Sequence, residues 1–150
     1  MEDTFRHFGL EKPEGYAEVW GTTFEAAKYN EEVVELIREL RSRDYLVAAL
    51  SNLEPSRARL LRDNGIVDMF DEIIFSCEVG LRKPDLLPMG LSSLEIFRYT
   101  MRVLGLKAEE CIFVDDNSNC IEAAIRVGIN TILFTDENQL KKQLLKRKIL

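Results

Sequence analysis

The chain has 150 residues, of which 46 % are hydrophobic and 31 % are charged, a balance typical of one folded domain with a substantial core. Its formal net charge of −6 argues against a nucleic-acid-binding protein, because such proteins carry an excess of basic side chains. No apolar run approaches the roughly 18 residues of a membrane-spanning helix. The cysteines, Cys77, Cys111 and Cys120, lack paired spacing and are typical of reduced thiols, so we expect a cytoplasmic protein.

The first thirty residues differ from the rest of the chain. They carry scattered apolar and aromatic side chains, which predict one or two short helices. Asn30 is then suited to cap a longer helix whose apolar stripe includes Leu36 and Leu40. A continuous apolar run over 45–50 follows and predicts a strand buried on both faces.

Helices and short apolar strands alternate along the remainder of the chain. Further strands are predicted at 72–76, 111–115 and 131–134, and the helices between and after them begin near Pro55, Ser92, Cys120 and Asp136. This alternation is typical of parallel βαβ units with helices on both faces of the sheet. The sequence therefore predicts a three-layer, Rossmann-like α/β domain with a four-strand parallel sheet.

Polar side chains follow three of the predicted strands. They are Ser51 and Asn52 after the first strand, Lys83 after the second, and Asp115 and Asp116 after the third. In parallel sheets the carboxyl ends of the strands form the ligand-binding edge, so we expect these residues to converge. Paired carboxylates suit Mg²⁺, while a lysine and a hydroxyl suit a phosphoryl group. The pattern predicts a site for an anion beside a divalent cation.

Taken singly, each of these residues has a simpler structural explanation. A Ser-Asn pair after a strand is usually a turn, a Lys-Pro pair is usually a loop, and an Asp-Asp pair is usually a helix cap. Their joint occurrence at three strand ends favours the site. A response-regulator receiver also places an Asp pair after a strand, but Asp136 lies at the wrong distance to be its phosphate acceptor.

Three stretches of the sequence together resemble the haloacid dehalogenase-like (HAD) hydrolase superfamily, most closely its phosphatase-type members with a helical cap. They are "LVAALSN", "EVGLRKPD" and "IFVDDNSNCIEAAIRVGINTILF". The resemblance covers roughly residues 30 to 140. It implies that residues 1–30 are the remnant of a helical cap and that residues 31–150 form the HAD-like α/β core.

The resemblance also implies a Mg²⁺-dependent phosphoric-monoester hydrolase that acts on a small phosphorylated metabolite. Ser51 and Lys83 would be catalytic residues that bind the phosphoryl group and neutralise its charge, and Asn52 would shape the substrate-binding loop. Asp116 would be the Mg²⁺ ligand, with Asp115 as a second ligand or an orienting partner.

One departure from the family bears on activity. The family's nucleophile is the first Asp of a DxD motif that ends an N-terminal strand, and residues 1–44 contain no apolar run that ends in this motif. We therefore expect a chain that is inactive alone. A non-catalytic phosphate-binding or protein-interaction module on the same scaffold is the alternative.

The same departure bears on the sheet. In the family the missing strand lies between the strands that correspond to 45–50 and 111–115. These two strands must therefore pair directly, leave open edges, or accept a strand through partner binding or self-association. Two smaller departures are an apolar insertion at 86–94 and Cys120, which stands where the family often has Asn.

Overall fold

The computed structural model describes residues 29–84 and 92–150, without the side chains of Ser92 and Ser93. The chain divides into two units, Met1–Glu31 and Glu32–Leu150, and the description below concerns the second. The predicted cap remnant falls outside the described residues except for its last two positions, and most of the 86–94 insertion falls outside them as well. None of the described helices is long and apolar enough to cross a membrane.

Helices and strands alternate through the described residues, as the sequence predicts. In chain order the elements are α1 (Glu31–Ser42), β1 (Ala48–Ser51), α2 (Pro55–Asp63), β2 (Glu72–Phe75), α3 (Ser76–Val79), α4 (Ser92–Leu104), β3 (Ile112–Asp115), α5 (Ser118–Arg126), β4 (Asn130–Leu133) and α6 (Glu137–Lys146). Local chemistry sets several of the boundaries. Pro55 occupies the first turn of α2, and the Asp136 carboxylate accepts the Gln139 N–H at the start of α6.

The strands form two parallel pairs, and this differs from the predicted four-strand sheet. β1 pairs with β2 and β3 pairs with β4, each over four residues. Among residues 29–84 and 92–150 no strand lies between β1 and β3, and these two do not pair with each other. The prediction of a parallel α/β fold is confirmed, but the described strands make two half-sheets. Of the three outcomes open to these strands, direct pairing is wrong.

The first strand also begins later than predicted. β1 starts at Ala48, and all four of its residues are only half-buried. Tyr45 and Leu46, within the predicted strand, are 43 % and 46 % exposed. Val47 is the last residue before β1, and its N–H donates to the Asp71 carboxylate at 2.9 Å rather than to a neighbouring strand. The apolar run therefore includes a connection from α1 as well as a strand.

Helix α4 packs against strands of both half-sheets. Its Ile96 and Phe97 are 0 % and 1 % exposed, in a core cluster with Ile74 of β2. Leu50 of β1 and Phe113 of β3 pack against the same cluster. The rings of Phe97 and Phe113 meet edge to face, with their centroids 5.1 Å apart. The two half-sheets thus share one hydrophobic core on this face.

Helix α1 also connects the two half-sheets. Its Leu36 packs with Ile132 of β4 and with α6 in a second cluster. Near its C-terminus, Arg41 forms an ion pair with Asp71, directly before β2, at 2.8 Å. Ile112 and Phe113 are consecutive residues of β3, so their side chains point to opposite faces of the strand. Ile112 packs in the cluster with α1 and Phe113 in the cluster with α4, so these two helices lie on opposite faces of β3 and β4.

The Asp71 contacts predict a pH dependence of stability. The backbone hydrogen bond from Val47, and then Arg41, hold the pKa of Asp71 below its usual 3.8. A carboxyl whose pKa falls on folding stabilises the protein above its unfolded-state pKa and loses that contribution as pH falls through its folded-state pKa. We expect Asp71→Ala to cost under about 1 kcal/mol at pH 7, because the pair is partly exposed, and to cost less near pH 2. Urea unfolding of both proteins at both pH values measures the cost. An equal loss of unfolding free energy at the two pH values would contradict the predicted pH dependence.

Candidate functional site

The loops after β1 and β2 are joined by one side-chain amide. Asn52 Nδ2 donates to the Lys83 carbonyl at 2.9 Å, and Asn52 Oδ1 accepts the Lys83 N–H at 2.8 Å. An amide that both donates to and accepts from one residue fixes that residue's backbone in two directions. Asn52 therefore shapes the site by holding the backbone of Lys83.

The Lys83 side chain extends from this contact with Asn52 to the end of β3. Its Nζ lies 2.6 Å from Asp115 Oδ2, and the two side chains are only 13 % and 8 % exposed. The same Nζ lies 5.5 Å from the centroid of the Phe113 ring. Two of the residues predicted to converge, one from each half-sheet, thus form a largely buried ion pair.

The two carboxylates after β3 have different environments. Asp115 Oδ1 accepts the Asn117 N–H at 2.8 Å, so both of its oxygens have partners. Asp116 is exposed. Asn117 caps α5 by accepting the Asn119 N–H, which places the start of this helix beside the pair. Asp115 is therefore the fixed member of the pair, and Asp116 faces solvent.

Ser51 is the last residue of β1 and is half-buried. A neighbouring serine that the sequence reasoning missed, Ser76, is 6 % exposed and holds the same loop. Its hydroxyl accepts the Leu53 N–H at 3.0 Å and lies 3.3 Å from the Leu53 carbonyl oxygen. Ser76 follows β2 directly, so its position at a strand end was the signal that could have identified it.

Cys120, in the first turn of α5, also contacts the loop that carries Lys83. The Cys120 thiol is buried and donates to the Pro84 carbonyl at 3.2 Å. This contact joins α5 to the residue after Lys83. Cys120 thus connects the loop that carries Asp115 and Asp116 with the loop that carries Lys83.

The donor set fits a cation that keeps most of its water. Among the described residues no group of three or more His, Cys, Asp and Glu side chains converges to hold a metal ion. Mg²⁺ is commonly bound through one or two carboxylates together with waters and substrate phosphate oxygens. Asp116, exposed and next to the fixed Asp115, meets this smaller requirement.

A sequence model described as a haloacid dehalogenase-like hydrolase matches residues 4–128. This match covers most of the chain, including the loops that carry Ser51, Lys83 and Asp115. The chain belongs to the haloacid dehalogenase-like hydrolase family. The family and the HAD-like α/β fold expected from its three sequence stretches are thereby confirmed.

Curated relatives include phosphatases. The chain is 31 % identical over 105 residues to a sesquiterpene phosphatase of Aspergillus oryzae. This alignment covers 69 % of this chain and 50 % of that protein. It is 39 % identical over 69 residues to a glyceraldehyde 3-phosphate phosphatase of Methanocaldococcus jannaschii. This second alignment covers 45 % of this chain and 27 % of that protein. The chain thus spans half or less of the length of these relatives.

Solved structures share the fold. A HAD phosphatase from Thermococcus onnurineus superposes with a TM-score of 0.72 at 20 % identity, over 93 % of this chain and 68 % of that one. A HAD family enzyme from Bacteroides thetaiotaomicron was solved as a complex with magnesium and inorganic phosphate. It superposes with a TM-score of 0.70 at 22 % identity, over 89 % of this chain and 68 % of that one. At these identities the likeness shows the fold alone.

Proposed function

We propose that this HAD-like chain carries the phosphate- and Mg²⁺-binding part of a phosphoric-monoester hydrolase and that, by itself, it binds these ligands without turnover. The observation that supports this most directly is the ion pair of Lys83 with Asp115 at the carboxyl ends of the strands. It holds an ammonium group between the loops after β1 and β3.

The ammonium group has donors to spare for a phosphate. Lysine carries three N–H donors, and Asp115 accepts from Nζ at 2.6 Å. The other donors can serve an anion that approaches from solvent. Ser51, at the end of β1, supplies a hydroxyl on the same edge of the strands. The backbone fixed by Asn52 keeps the lysine in place before the ligand arrives.

Mg²⁺ would lie at the acidic side of the same edge. Asp116 would be its main protein ligand, and Asp115 would act as a second ligand or orient the first. When bound, the ion would neutralise phosphate charge. A phosphorylated small molecule is therefore the class of ligand that this edge fits, in keeping with the phosphatases among the relatives.

The expected lack of turnover rests on the sequence. Covalent phosphoryl transfer in this type of enzyme needs a carboxylate nucleophile, and residues 1–44 contain no strand-like run that ends in DxD. Lys83 and a metal ion stabilise charge but do not replace an attacking group. The alternative function is a binding module that uses the same phosphate site or the open strand edges to engage a partner.

Titration of the ¹⁵N-labelled chain with inorganic phosphate, with and without Mg²⁺, tests the proposal. We expect the amide signals of Ser51, Lys83 and Asp116 to shift at millimolar phosphate. We expect Asp116→Ala to weaken the Mg²⁺-dependent part of this response at least about tenfold, since it removes the main ligand. Asp63→Ala removes an exposed acid at the end of α2 and serves as the matched control.

Hydrolysis of an aryl phosphate is measured on the same samples. No turnover together with phosphate binding supports the proposal. Unchanged signals at all three residues would refute the ligand site. Mg²⁺-dependent turnover that disappears in Asp116→Ala would refute the expected inactivity and make the isolated chain an enzyme.

A further inference from the structure

The Ser76 side chain lies between the loops that follow β1 and β2. Ser76 is 6 % exposed, although serines are mostly found at the surface. A buried hydroxyl costs free energy unless it is hydrogen-bonded. Here its oxygen accepts the Leu53 N–H at 3.0 Å and donates to the Leu53 carbonyl at 3.3 Å. One side chain therefore binds both backbone polar groups of Leu53.

This hydroxyl acts at the point where the β1–β2 ladder stops. The last register pair of the ladder is Ser51 with Phe75. The next residue, Ser76, begins α3, and its carbonyl accepts the Gly80 N–H within that turn. Because α3 uses this carbonyl, it does not extend the ladder towards the loop after β1. The Ser76 side chain holds that loop instead.

The contact with Leu53 is one residue away from the amide that holds Lys83. Asn52 precedes Leu53, and its side chain binds the Lys83 backbone at 2.9 Å and 2.8 Å. The Asn52 backbone is thus anchored on both sides, by the ladder at Ser51 and by Ser76 at Leu53. An amide whose backbone is fixed on both sides keeps the direction of its hydrogen bonds before a ligand arrives.

We propose that Ser76 is a positioning residue of the phosphate site. Its hydroxyl, acting through Leu53 and Asn52, fixes the place from which Lys83 meets a phosphate. The inference rests on the proposed function, because that function gives Lys83 its role. Ser76 itself does not touch the ligand. A serine with a purely structural role would stabilise the chain without changing the phosphate affinity of the folded protein.

Three substitutions at this position separate the hydroxyl from the volume it fills. Ser76→Ala removes the hydroxyl, Ser76→Cys replaces it with a thiol that is a weak donor and acceptor, and Ser76→Thr keeps it. Phosphate affinity is measured by titrating each ¹⁵N-labelled variant with inorganic phosphate. We expect Ser76→Ala and Ser76→Cys to weaken binding about tenfold, because the Leu53 N–H loses its partner. Ser76→Thr should stay within about twofold of the wild-type chain.

A control on α2 separates positioning from loss of stability. Ala58 is 2 % exposed in the middle of α2, and glycine is unfavourable inside a helix. Ala58→Gly should therefore lower the urea midpoint while leaving the Ser76 hydroxyl and the phosphate affinity unchanged. If Ala58→Gly weakens phosphate binding as much as Ser76→Cys does, loss of stability explains the effect and the inference is wrong.

Amide hydrogen exchange tests the connection to Lys83 without any ligand. The Lys83 N–H donates to Asn52 and not to Ser76, so a change there reports transmission through the loop. We expect Ser76→Cys to speed exchange at Lys83 at least about tenfold. The Phe134 N–H donates to the Asp115 carbonyl at 2.9 Å in the other half-sheet and should change little. Equal acceleration at both amides would indicate general opening and overturn the inference.

The outcomes distinguish this inference from the proposed function. Weaker phosphate binding and faster Lys83 exchange in the alanine and cysteine variants, both restored by threonine, support the inference. Phosphate binding that equals wild type in all three variants overturns the inference alone. Loss of binding in the alanine variant but not in the cysteine variant assigns the effect to volume and also overturns it. A wild-type chain that binds no phosphate refutes the proposed function, and the inference falls with it.

Discussion

Phe97→Ala is expected to lower the free energy of unfolding by about 4 kcal/mol. Phe97 is 1 % exposed, lies in the cluster that both half-sheets share, and meets the Phe113 ring edge to face. Removing the ring leaves a cavity between β2, β3 and α5 that close-packed neighbours fill only in part. Urea unfolding followed by circular dichroism measures the loss.

The size of this loss makes the choice of controls important. A domain of this length is stable by roughly 5–15 kcal/mol, so a loss of about 4 kcal/mol is a large fraction of the total. Phe97→Leu keeps part of the volume and should cost about 1–2 kcal/mol. Val103→Ala on the same helix removes a side chain that is 40 % exposed and should cost under about 1 kcal/mol. A loss for Phe97→Ala no larger than that for Val103→Ala would contradict the shared core.

Lys83→Met is expected to cost about 3 kcal/mol of stability. The substitution keeps the aliphatic stem but leaves the Asp115 carboxylate, which is 8 % exposed, without its cation. A buried charge that loses its partner retains the cost of leaving water, which is why breaking such a pair costs more than the pair contributes. The measurement is again urea unfolding, at pH 7 and low salt.

Two comparisons isolate the ion pair from other effects of this substitution. Arg38→Met breaks the pair with Glu35 on α1, whose side chains are 67 % and 70 % exposed, and should cost under about 0.5 kcal/mol. Combining Lys83→Met with Asp115→Asn removes both charges, so the double variant should be less destabilised than the sum of the single variants. Additive losses would show that Lys83 stabilises the fold through packing alone.

Much of the site could be predicted because its residues occupy strand ends. In a parallel α/β fold the position of a residue after a strand is enough to place it at the ligand-binding edge. Lys83 and Asp115 are far apart in sequence, yet this rule predicted that they converge, and they lie 2.6 Å apart. This distance does not test function, so the binding roles of all the predicted site residues stay predictions for the ligand titration.

Other features of the site depended on hydrogen-bond geometry, which a sequence pattern does not carry. Asn52 was expected to shape the substrate-binding loop, but the sequence did not show that its amide would bond to the Lys83 backbone. Ser76 and Cys120 position the same loops through a hydroxyl and a thiol whose partners are backbone carbonyls and N–H groups. Such partners leave no residue-type signature, so only the folded chain identifies them.

The sequence by itself determined the alternation of helices and strands, the α/β class and the family, because periodicity and the order of strand-end residues are local properties. The tertiary structure decided how the strands are grouped. Apolar composition predicted one four-strand sheet, yet β1 and β3 remain unpaired with each other among the described residues. Pairing between strands depends on which backbone edges meet in space, and α1 and α4 hold these two half-sheets together through side chains rather than through a ladder.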